Sequence, residues 1–317
     1  MKPLLLVLVF LSEEHRALVS ERFDMVYAPN EDLGADRSNG AAQIAARGPD
    51  IRVVLTNGTN GLLAAEIDAL PKLELICTVG VGHENVAVAH ARARGIAVAN
   101  AAGTNDECVA DHAMMILLAA IRRLPFLNDG VRQGMWRDDI PRPPHVSFKR
   151  MGIVGLGAIG QKIAHRARGF HMEIGYHSRS RKDETGYRYF DSVPALAEWC
   201  DFLVLAAPGG KETYHLVDAK VLAALGPEGV LVNIARGTLV DTQALAEALR
   251  EGRIMAAALD VYENEPTPPA ALLGFDNAIL TPHVGGISPQ AIHASVVRFL
   301  DNAERHFARQ PLLTPVG

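Results

Sequence analysis

The sequence predicts an α/β protein built from two doubly wound parallel sheets. Short apolar runs alternate with amphipathic stretches of helical length, which is the pattern of strand–helix–strand units in a parallel sheet. The chain has 317 residues, 49% of them hydrophobic and 21% charged, which is enough for two globular domains. We expect residues 1–99 plus 287–317 to form one domain and residues 100–286 the other, with a cleft between them.

The amino-terminal part contains four candidate strands, each a short apolar run. They are Leu4–Phe10, Val53–Leu55, Leu75–Thr78 and Ile96–Ala99. Helical patterns are predicted at Gly61–Leu70 and Glu84–Arg94, and a long apolar helix over Asn105–Arg123. The apolar run Leu4–Leu11 is too short to span a bilayer and no small-residue cleavage site follows it, so we expect a buried strand and a cytoplasmic protein.

The carboxyl-terminal part repeats the alternation from Met151 onwards. Its candidate strands are Glu173–Tyr176, Phe202–Ala206, Val230–Ile234, Ala256–Leu259 and Ala278–Leu280. Before it, the stretch Arg137–Lys149 is polar and rich in proline, with Pro141 among the prolines, and fits either an interdomain linker or an arm that packs on a second subunit. Ser288 followed by Pro289 predicts the start of a terminal helix.

Charge and cysteine content exclude several classes of protein. The formal net charge of −5 gives no reason to expect binding to nucleic acid or to an anionic membrane. The three cysteines are far apart and form no C-x-x-C pair, which argues against a disulfide scaffold or a thiolate metal site. We therefore expect a reducing compartment and no metal.

A glycine pattern, G-x-G-x-x-G, stands at Gly155, Gly157 and Gly160, behind an apolar strand and ahead of an amphipathic helix. In a dinucleotide site the first glycine allows the tight turn, the second admits the pyrophosphate and the third lets helix pack on strand. The helix N-terminus, where Ala158 and Ile159 lie, adds free N–H groups and a positive dipole. This turn is therefore predicted to bind a dinucleotide.

The strand that follows this helix is succeeded by basic residues, where a site for NAD normally carries Asp or Glu for the ribose 2′-hydroxyl. The stretch includes His177, Ser178, Arg179 and Arg181. A carboxylate would repel a 2′-phosphate, whereas Arg179 and Arg181 would hold one through paired hydrogen bonds. A basic cluster can also be a solvated loop, but its position favours NADP(H) in preference to NAD(H).

Four polar residues stand near predicted strand ends, where ligands bind in open parallel sheets. Arg236 ends one apolar strand, Asp260 follows the next with Glu265 shortly after, and His283 follows the last. Taken singly, such an arginine is often a surface ion-pair partner and a lone histidine is usually structural. Behind a dinucleotide fingerprint, the set indicates a functional site at these strand ends.

The chain resembles the D-isomer-specific 2-hydroxyacid dehydrogenases over essentially its full length. The resemblance rests on Val79–Gly82, Gly155–Gly160, Asn233–Gly237, Leu259–Pro266 and Pro282-His283. Within the family the chain is similar to NADPH-dependent glyoxylate/hydroxypyruvate reductases and hydroxyphenylpyruvate reductases. The resemblance implies a flavodoxin-like substrate domain, a Rossmann cofactor domain and hydride transfer between a nicotinamide cofactor and a small 2-oxo acid.

The resemblance also implies a role for each catalytic residue. Arg236 would pair with the substrate carboxylate, and His283 would be the general acid that protonates the carbonyl oxygen. Glu265 would orient the imidazole and favour its charged form. Val79 and Gly80 would offer backbone N–H groups to the substrate carboxylate, although small residues after a strand equally suit a plain turn.

By the same resemblance, Asp260 would accept a hydrogen bond from the nicotinamide carboxamide. The other expected cofactor contacts are Ala207, Pro208 and Thr213 on the adenosine side, Ile234 and Ala235 beside the nicotinamide ribose, and Gly285.

Family members are commonly dimers, which implies a homodimer formed through the helix Asn105–Arg123 and the arm around Gly134-Met135-Trp136. Trp136 would either reach the partner's active site or anchor an ordinary interface. The loops Thr56–Gly58 and Val79–Gly82 carry no charged residue, which favours glyoxylate, hydroxypyruvate or an aryl-pyruvate as substrate. The alternative is an NADP(H)-binding sensor of the corepressor kind without turnover, but the presence of all three catalytic residues favours an enzyme.

Overall fold

The chain forms two α/β units. The computed structural model describes residues 2–30, 36–140 and 142–317, so Pro141 of the proline-rich stretch lies outside the described residues. One unit comprises Met1–Asn105 and Ile287–Gly317, and the other comprises Asp106–Gly286.

The first unit extends to Asn105 before the second unit begins, whereas we expected the boundary after residue 99. The reason is that the segment after residue 99 hydrogen-bonds within the first unit. The amide of Asn100 donates to the carbonyl of Thr314 at 3.1 Å, and the amide of Ala101 donates to the carbonyl of Gly80 at 2.8 Å.

The first unit is a parallel sheet of five strands in the order β2-β1-β3-β4-β5, the flavodoxin-like order. Its strands are β1 Leu4–Val7, β2 Asp24–Tyr27, β3 Ile51–Asn57, β4 Leu75–Val79 and β5 Ala97–Ala99; its helices are α1 Glu13–Ser20, α2 Ser38–Arg47, α3 Ala64–Asp68, α4 Val88–Ala93 and α11 Pro289–Phe307. Alternate residues of β1 enter different cores, since Leu5 packs with Phe299 of α11 while Leu6 packs with Ile44 of α2. Helices therefore cover both faces.

The second unit is a parallel sheet of seven strands in the order β12-β11-β10-β9-β6-β7-β8, which contains the Rossmann order. Its strands are β6 Arg150–Val154, β7 Glu173–His177, β8 Arg188–Tyr189, β9 Phe202–Leu205, β10 Val230–Asn233, β11 Ala256–Leu259 and β12 Ala278–Leu280; its helices are α5 Asp106–Ile121, α6 Leu124–Arg132, α7 Ala158–Arg168, α8 Val193–Trp199, α9 Ala219–Leu225 and α10 Thr242–Arg250. Strand order changes direction beside β6, so the loops after β6 and β9 flank the crevice at the carboxyl ends.

The predicted fold class is confirmed, and most predicted strands are present. The terminal helix begins as expected, with the Ser288 hydroxyl accepting a hydrogen bond from the amide of Ala291 at 3.1 Å. Two edge strands, β2 and β8, were not predicted because neither is a continuous apolar run: β2 begins with the exposed Asp24, and β8 is only Arg188–Tyr189. In the part of the chain that the structure describes, no helix is long and apolar enough to cross a membrane.

Candidate active site

The glycine turn between β6 and α7 is shaped by close backbone contacts. Gly155 has a φ of +95°, and a Cβ there would lie 2.6 Å from the amide nitrogen of Ala207, in the loop after β9. A Cβ at Gly160 would lie 2.2 Å from the carbonyl oxygen of Gly155. Both positions therefore require glycine for the packing of the protein itself.

Gly157 differs from its two neighbours in the pattern. Its φ of −79° suits any residue, and a Cβ there would meet nothing within 4 Å. The protein alone thus gives no reason for glycine at this position, whereas a pyrophosphate lying on the turn would. Ala158 and Ile159 open α7, where amide groups lack partners inside the helix. These residues fit a dinucleotide.

The two arginines in the loop after β7, Arg179 and Arg181, have different surroundings. Arg181 pairs with Asp183 and lies over the Tyr189 ring, 5.9 Å from its centroid, whereas Arg179 stands exposed two residues beyond the strand. The Ser178 hydroxyl donates to the carbonyl of Ser180 at 2.6 Å. Arg179 is therefore the better placed of the two to meet a ligand at this strand end.

His177, the last residue of β7, has one ring nitrogen engaged. Its Nδ1 lies 2.9 Å from the carbonyl oxygen of Phe190. Because a carbonyl oxygen only accepts, Nδ1 carries the hydrogen of this bond, and Nε2 is the nitrogen left to meet a ligand.

His283 and Glu265 form a direct pair. The Nδ1 of His283 donates to Oε2 of Glu265 at 2.6 Å, and the other oxygen, Oε1, accepts from the amide of Tyr262 at 2.7 Å. The hydrogen bond to Glu265 raises the pKa of His283 above its ordinary value; burial and the charge of Arg236 act against this rise, and the charges of Glu265 and Asp260 add to it. The side chain of His283 is 47% exposed. The pair therefore favours an imidazolium whose Nε2 can exchange a proton with a ligand.

Asp260 fixes the loop that carries His283. The backbone carbonyl of Asp260 accepts from the amide of His283 at 2.8 Å, and its carboxylate accepts from the amides of Val284 and Gly285 at 3.0 and 2.8 Å. His283 has a φ of +53°, in the left-handed region, so these bonds hold an unfavourable backbone conformation in place.

The carboxylate of Asp260 is buried and charged. Burial raises its pKa, but hydrogen bonds from His112, Thr281 and the two amides outweigh burial and leave the pKa below its ordinary value. The Thr281 hydroxyl donates to Oδ1 of Asp260 at 2.6 Å, and Nε2 of His112 lies 3.2 Å from the same oxygen. These bonds direct Asp260 toward the protein itself, and its expected contact with a nicotinamide stays a prediction.

Arg236 follows β10 in a tightly packed turn. Its carbonyl accepts from Nδ2 of Asn233 at 2.9 Å, and its stem lies against Gly209, where a Cβ would be 2.9 Å from Cγ of Arg236. The next residue, Gly237, lies so close to the chain after β11 that a Cβ would be 1.8 Å from the carbonyl carbon of Tyr262. The loops after β9, β10 and β11 thus meet at Arg236.

The remaining residues predicted for the second unit lie on the same loops. Ala207 and Pro208 follow β9, and Ile234 and Ala235 follow β10 as buried residues. The hydroxyl of Thr213 donates within its own loop, to the carbonyl of Pro208 at 3.0 Å. The amide of Gly285 donates to the carboxylate of Asp260. Their contacts with a cofactor remain predictions.

Val79 and Gly80 belong to the first unit. Val79 is the last residue of β4, and Gly80 has a φ of +85° with open space where a Cβ would stand. The loop is fixed from one side, because Nδ2 of Asn100 donates to the carbonyl of Val81 at 3.0 Å. Their binding to a substrate carboxylate also stays a prediction.

Sequence reasoning missed His112 and Thr281, which support the loop of His283 through their bonds to Asp260. His112 lies on α5 among apolar residues, and its Nε2 is 2.9 Å from the Thr281 hydroxyl. The available signals were a single histidine on an apolar helix and a threonine directly before Pro282-His283. Across the described ranges, no group of three His, Cys, Asp or Glu side chains is arranged to hold a metal ion.

Comparison with known proteins identifies the family. The model of the "D-isomer specific 2-hydroxyacid dehydrogenase, NAD binding domain" matches residues 114–285. A hydroxyphenylpyruvate reductase of Plectranthus scutellarioides is 42% identical over 276 residues, which cover 86% of this chain and 88% of that protein. A glyoxylate/hydroxypyruvate reductase A of Arabidopsis thaliana is 42% identical over 84% of this chain and 85% of its own length.

A solved structure agrees with these relatives. The NADPH-dependent glyoxylate/hydroxypyruvate reductase of Sinorhizobium meliloti, in complex with NADP and malonate, is 37% identical and superposes with a TM-score of 0.89. The match covers 100% of this chain and 97% of that one. The chain therefore belongs to the D-isomer-specific 2-hydroxyacid dehydrogenase family.

Proposed function

We propose that this D-2-hydroxyacid dehydrogenase reduces small 2-oxo acids, of the glyoxylate or hydroxypyruvate kind, to D-2-hydroxy acids with NADPH. The observation that carries the proposal is the 2.6 Å bond between His283 and Glu265, on a loop that Asp260 anchors to β11. This arrangement provides a held proton donor in a unit that also carries the dinucleotide fingerprint. The Plectranthus, Arabidopsis and Sinorhizobium relatives are named as reductases of substrates in this class.

In the proposed mechanism, His283 supplies the proton. Nδ1 remains bonded to Glu265, so the proton leaves from Nε2 and goes to the carbonyl oxygen of the 2-oxo acid. As the imidazole becomes neutral, Glu265 keeps the ring oriented. In the reverse direction, neutral His283 takes the hydroxyl proton of a 2-hydroxy acid at the same nitrogen.

Arg236 binds the substrate in this proposal. Its guanidinium pairs with the substrate carboxylate. A planar guanidinium can donate two parallel hydrogen bonds to a carboxylate, which the ammonium of a lysine cannot do. Removing the guanidinium should therefore weaken binding of every 2-oxo acid, whatever its side chain.

NADPH is the cofactor that we propose, and when bound it supplies the hydride that adds to the carbonyl carbon. The turn Gly155–Gly160 would hold the pyrophosphate at the start of α7, and Gly157 would leave room for it. Arg179, with Ser178 and Nε2 of His177, would hold the 2′-phosphate. The Sinorhizobium relative, whose structure contains NADP, supports a preference for the phosphorylated cofactor.

The decisive experiment follows the absorbance of NADPH with glyoxylate, hydroxypyruvate, phenylpyruvate and 2-ketogluconate, each repeated with NADH. We expect turnover with NADPH, and the ranking of substrates reports the size of the side-chain pocket. If NADPH bound tightly but no substrate consumed it, the enzyme proposal would be wrong. Faster turnover with NADH would contradict only the cofactor preference.

We also propose a homodimer. The support is a group of exposed apolar side chains on and after α5, which includes Trp136 at 67% exposure.

A further inference from the structure

A further histidine–carboxylate pair, His215 with Glu263, lies in the same unit as His283 and Glu265. Nε2 of His215 lies 2.6 Å from Oε1 of Glu263, and Oε2 of Glu263 accepts from the amide of Thr242 at 3.1 Å, in the first turn of α10. Burial raises the pKa of Glu263, but the hydrogen bonds from Thr242 and His215 outweigh burial and lower the pKa below its ordinary value. Glu263 is therefore a charged acceptor held at a helix N-terminus.

This pair joins three loops that leave the sheet at the carboxyl ends of different strands. His215 belongs to the loop after β9, and Glu263 to the loop after β11. The loop after β10 is fastened to the first of these by backbone pairing, because the amide of His215 donates to the carbonyl of Thr238 at 2.8 Å. A parallel bridge between Val217 and Val240 continues that pairing.

Arg236 lies at the point where these loops meet. Its stem packs against Gly209 of the loop after β9, and Gly237 packs against the backbone of Tyr262 in the loop after β11. His215 and Glu263 are the side chains that bond the loop after β9 directly to the loop after β11. Without this bond, the loop after β9 would lose its direct side-chain bond to the loop after β11 and would be held to it through the loop after β10.

We propose that His215 and Glu263 form a positioning pair for Arg236, and that the pair sets the affinity for the substrate carboxylate rather than the proton transfer. This inference rests on the proposed function, in which Arg236 binds that carboxylate. The pair of His283 and Glu265 is bonded to other groups, the amide of Tyr262 and the backbone of Asp260, so we expect the two histidines to act on separate steps. A displacement of about 1 Å in a substrate-binding group is enough to impair a reaction strongly.

The test replaces His215 with Leu, which removes the hydrogen bond and retains most of the side-chain volume. We expect the KM for hydroxypyruvate to rise about tenfold, with the KM for NADPH and the pH profile of kcat unchanged. The dissociation constant of oxamate, an unreactive analogue of a 2-oxo acid, should rise by the same factor when measured by calorimetry with NADPH present. The single variant Glu263→Gln can still accept from the amide of Thr242 and bond to His215. It should therefore keep most of the wild-type affinity for oxamate.

A double variant shows whether the effect passes through Arg236. In an Arg236→Ala background, His215→Leu should change the KM for the 2-oxo acid no further, because coupled residues are not additive. The matched control is His90→Leu, which breaks the exposed 2.8 Å pair between His90 and Asp68 in the first unit and should leave both KM values unchanged.

Each contrary result has a distinct meaning. If His215→Leu folds and turns over with an unchanged KM for the 2-oxo acid, the positioning role is wrong while the proposed function stands. The same holds if its effects add in full to those of Arg236→Ala, or if both KM values and the melting temperature change together. If the wild-type protein reduces no 2-oxo acid, the proposed function fails and this inference fails with it.

Discussion

Among single residues, His283 has the protonation state on which the proposed reaction depends. Its bond to Glu265 raises its pKa, so the imidazolium persists at pH values where a free histidine is already neutral. Reduction needs the charged form. We therefore expect kcat/KM for reduction to be constant at low pH and to fall as pH rises through the pKa of His283, and the oxidation of the 2-hydroxy acid to show the opposite trend.

Replacing Glu265 by Gln tests the origin of that pKa. The amide can still meet the ring but carries no charge, so the pKa of His283 should fall and the decline in reduction should begin at a lower pH than in the wild type. The measurement is a pH profile of kcat/KM from pH 5 to 10 for both proteins. An unchanged profile in E265Q would show that another group sets the dependence.

Arg179 and Arg181 should differ in their effect on cofactor choice. Arg181 is already paired with Asp183, whereas Arg179 is exposed at the end of β7. We expect Arg179→Ala to raise the KM for NADPH at least tenfold, since a lost charge-assisted hydrogen bond of this kind contributes roughly 1.5–3 kcal/mol, and to leave the KM for NADH nearly unchanged. Steady-state kinetics with both cofactors measure this difference.

Arg181→Ala is the matched control in the same loop, with a predicted change in the KM for NADPH of less than threefold. Equal effects of Arg179→Ala on NADPH and NADH would contradict the 2′-phosphate assignment. A larger effect of Arg181→Ala than of Arg179→Ala would exchange the two roles.

At the level of elements, the turn from β6 to α7 separates glycines needed for folding from one needed for binding. A Cβ at Gly157 meets nothing within 4 Å, so Gly157→Ala should leave the melting temperature unchanged and raise the KM for NADPH at least tenfold. A Cβ at Gly160 would lie 2.2 Å from the Gly155 carbonyl oxygen, so Gly160→Ala should destabilise the fold by about 1–3 kcal/mol or more.

Thermal unfolding with and without NADPH separates the two glycine variants. Gly157→Ala should unfold like the wild type alone and gain less stability from the cofactor, because less of it binds. If Gly157→Ala kept wild-type affinity for NADPH, the cofactor would not lie on this turn as proposed.

The elements also show what the sequence can predict. Buried central strands such as β9 and β10 are apolar runs, and so were predicted within a residue or two. Edge strands such as β8 lack that pattern, and their positions depend on pairing with a neighbour.

The candidate site likewise contains residues that the sequence predicts and residues that it does not. Arg236 and His283 follow strands and match family motifs, whereas the partners of Asp260 come from α5 and from the chain after β12. Contacts across such distances in sequence depend on the tertiary fold and leave little local signal.

For the whole molecule, the surface of the second unit predicts self-association. Five of the seven large apolar side chains that its described residues expose fall between residues 115 and 148. They are Met115, Leu124, Val131, Trp136 and Phe148. A contiguous apolar patch marks an interaction site, and helix α5 with the following arm is where the family resemblance expects a second subunit, so we expect these side chains to lie in one interface.

We therefore expect sedimentation velocity to give twice the monomer mass at micromolar concentration, and the double variant Met115→Glu/Leu124→Glu to sediment as a monomer with unchanged circular dichroism. Leu273→Glu, equally exposed but outside this segment, should remain dimeric.

Trp136→Ala then decides between the two roles of that side chain. A dimer with lowered kcat would indicate that Trp136 reaches the partner's active site, and a weakened dimer with normal kcat at high protein concentration would indicate an interface anchor. A wild-type monomer would contradict the interface altogether.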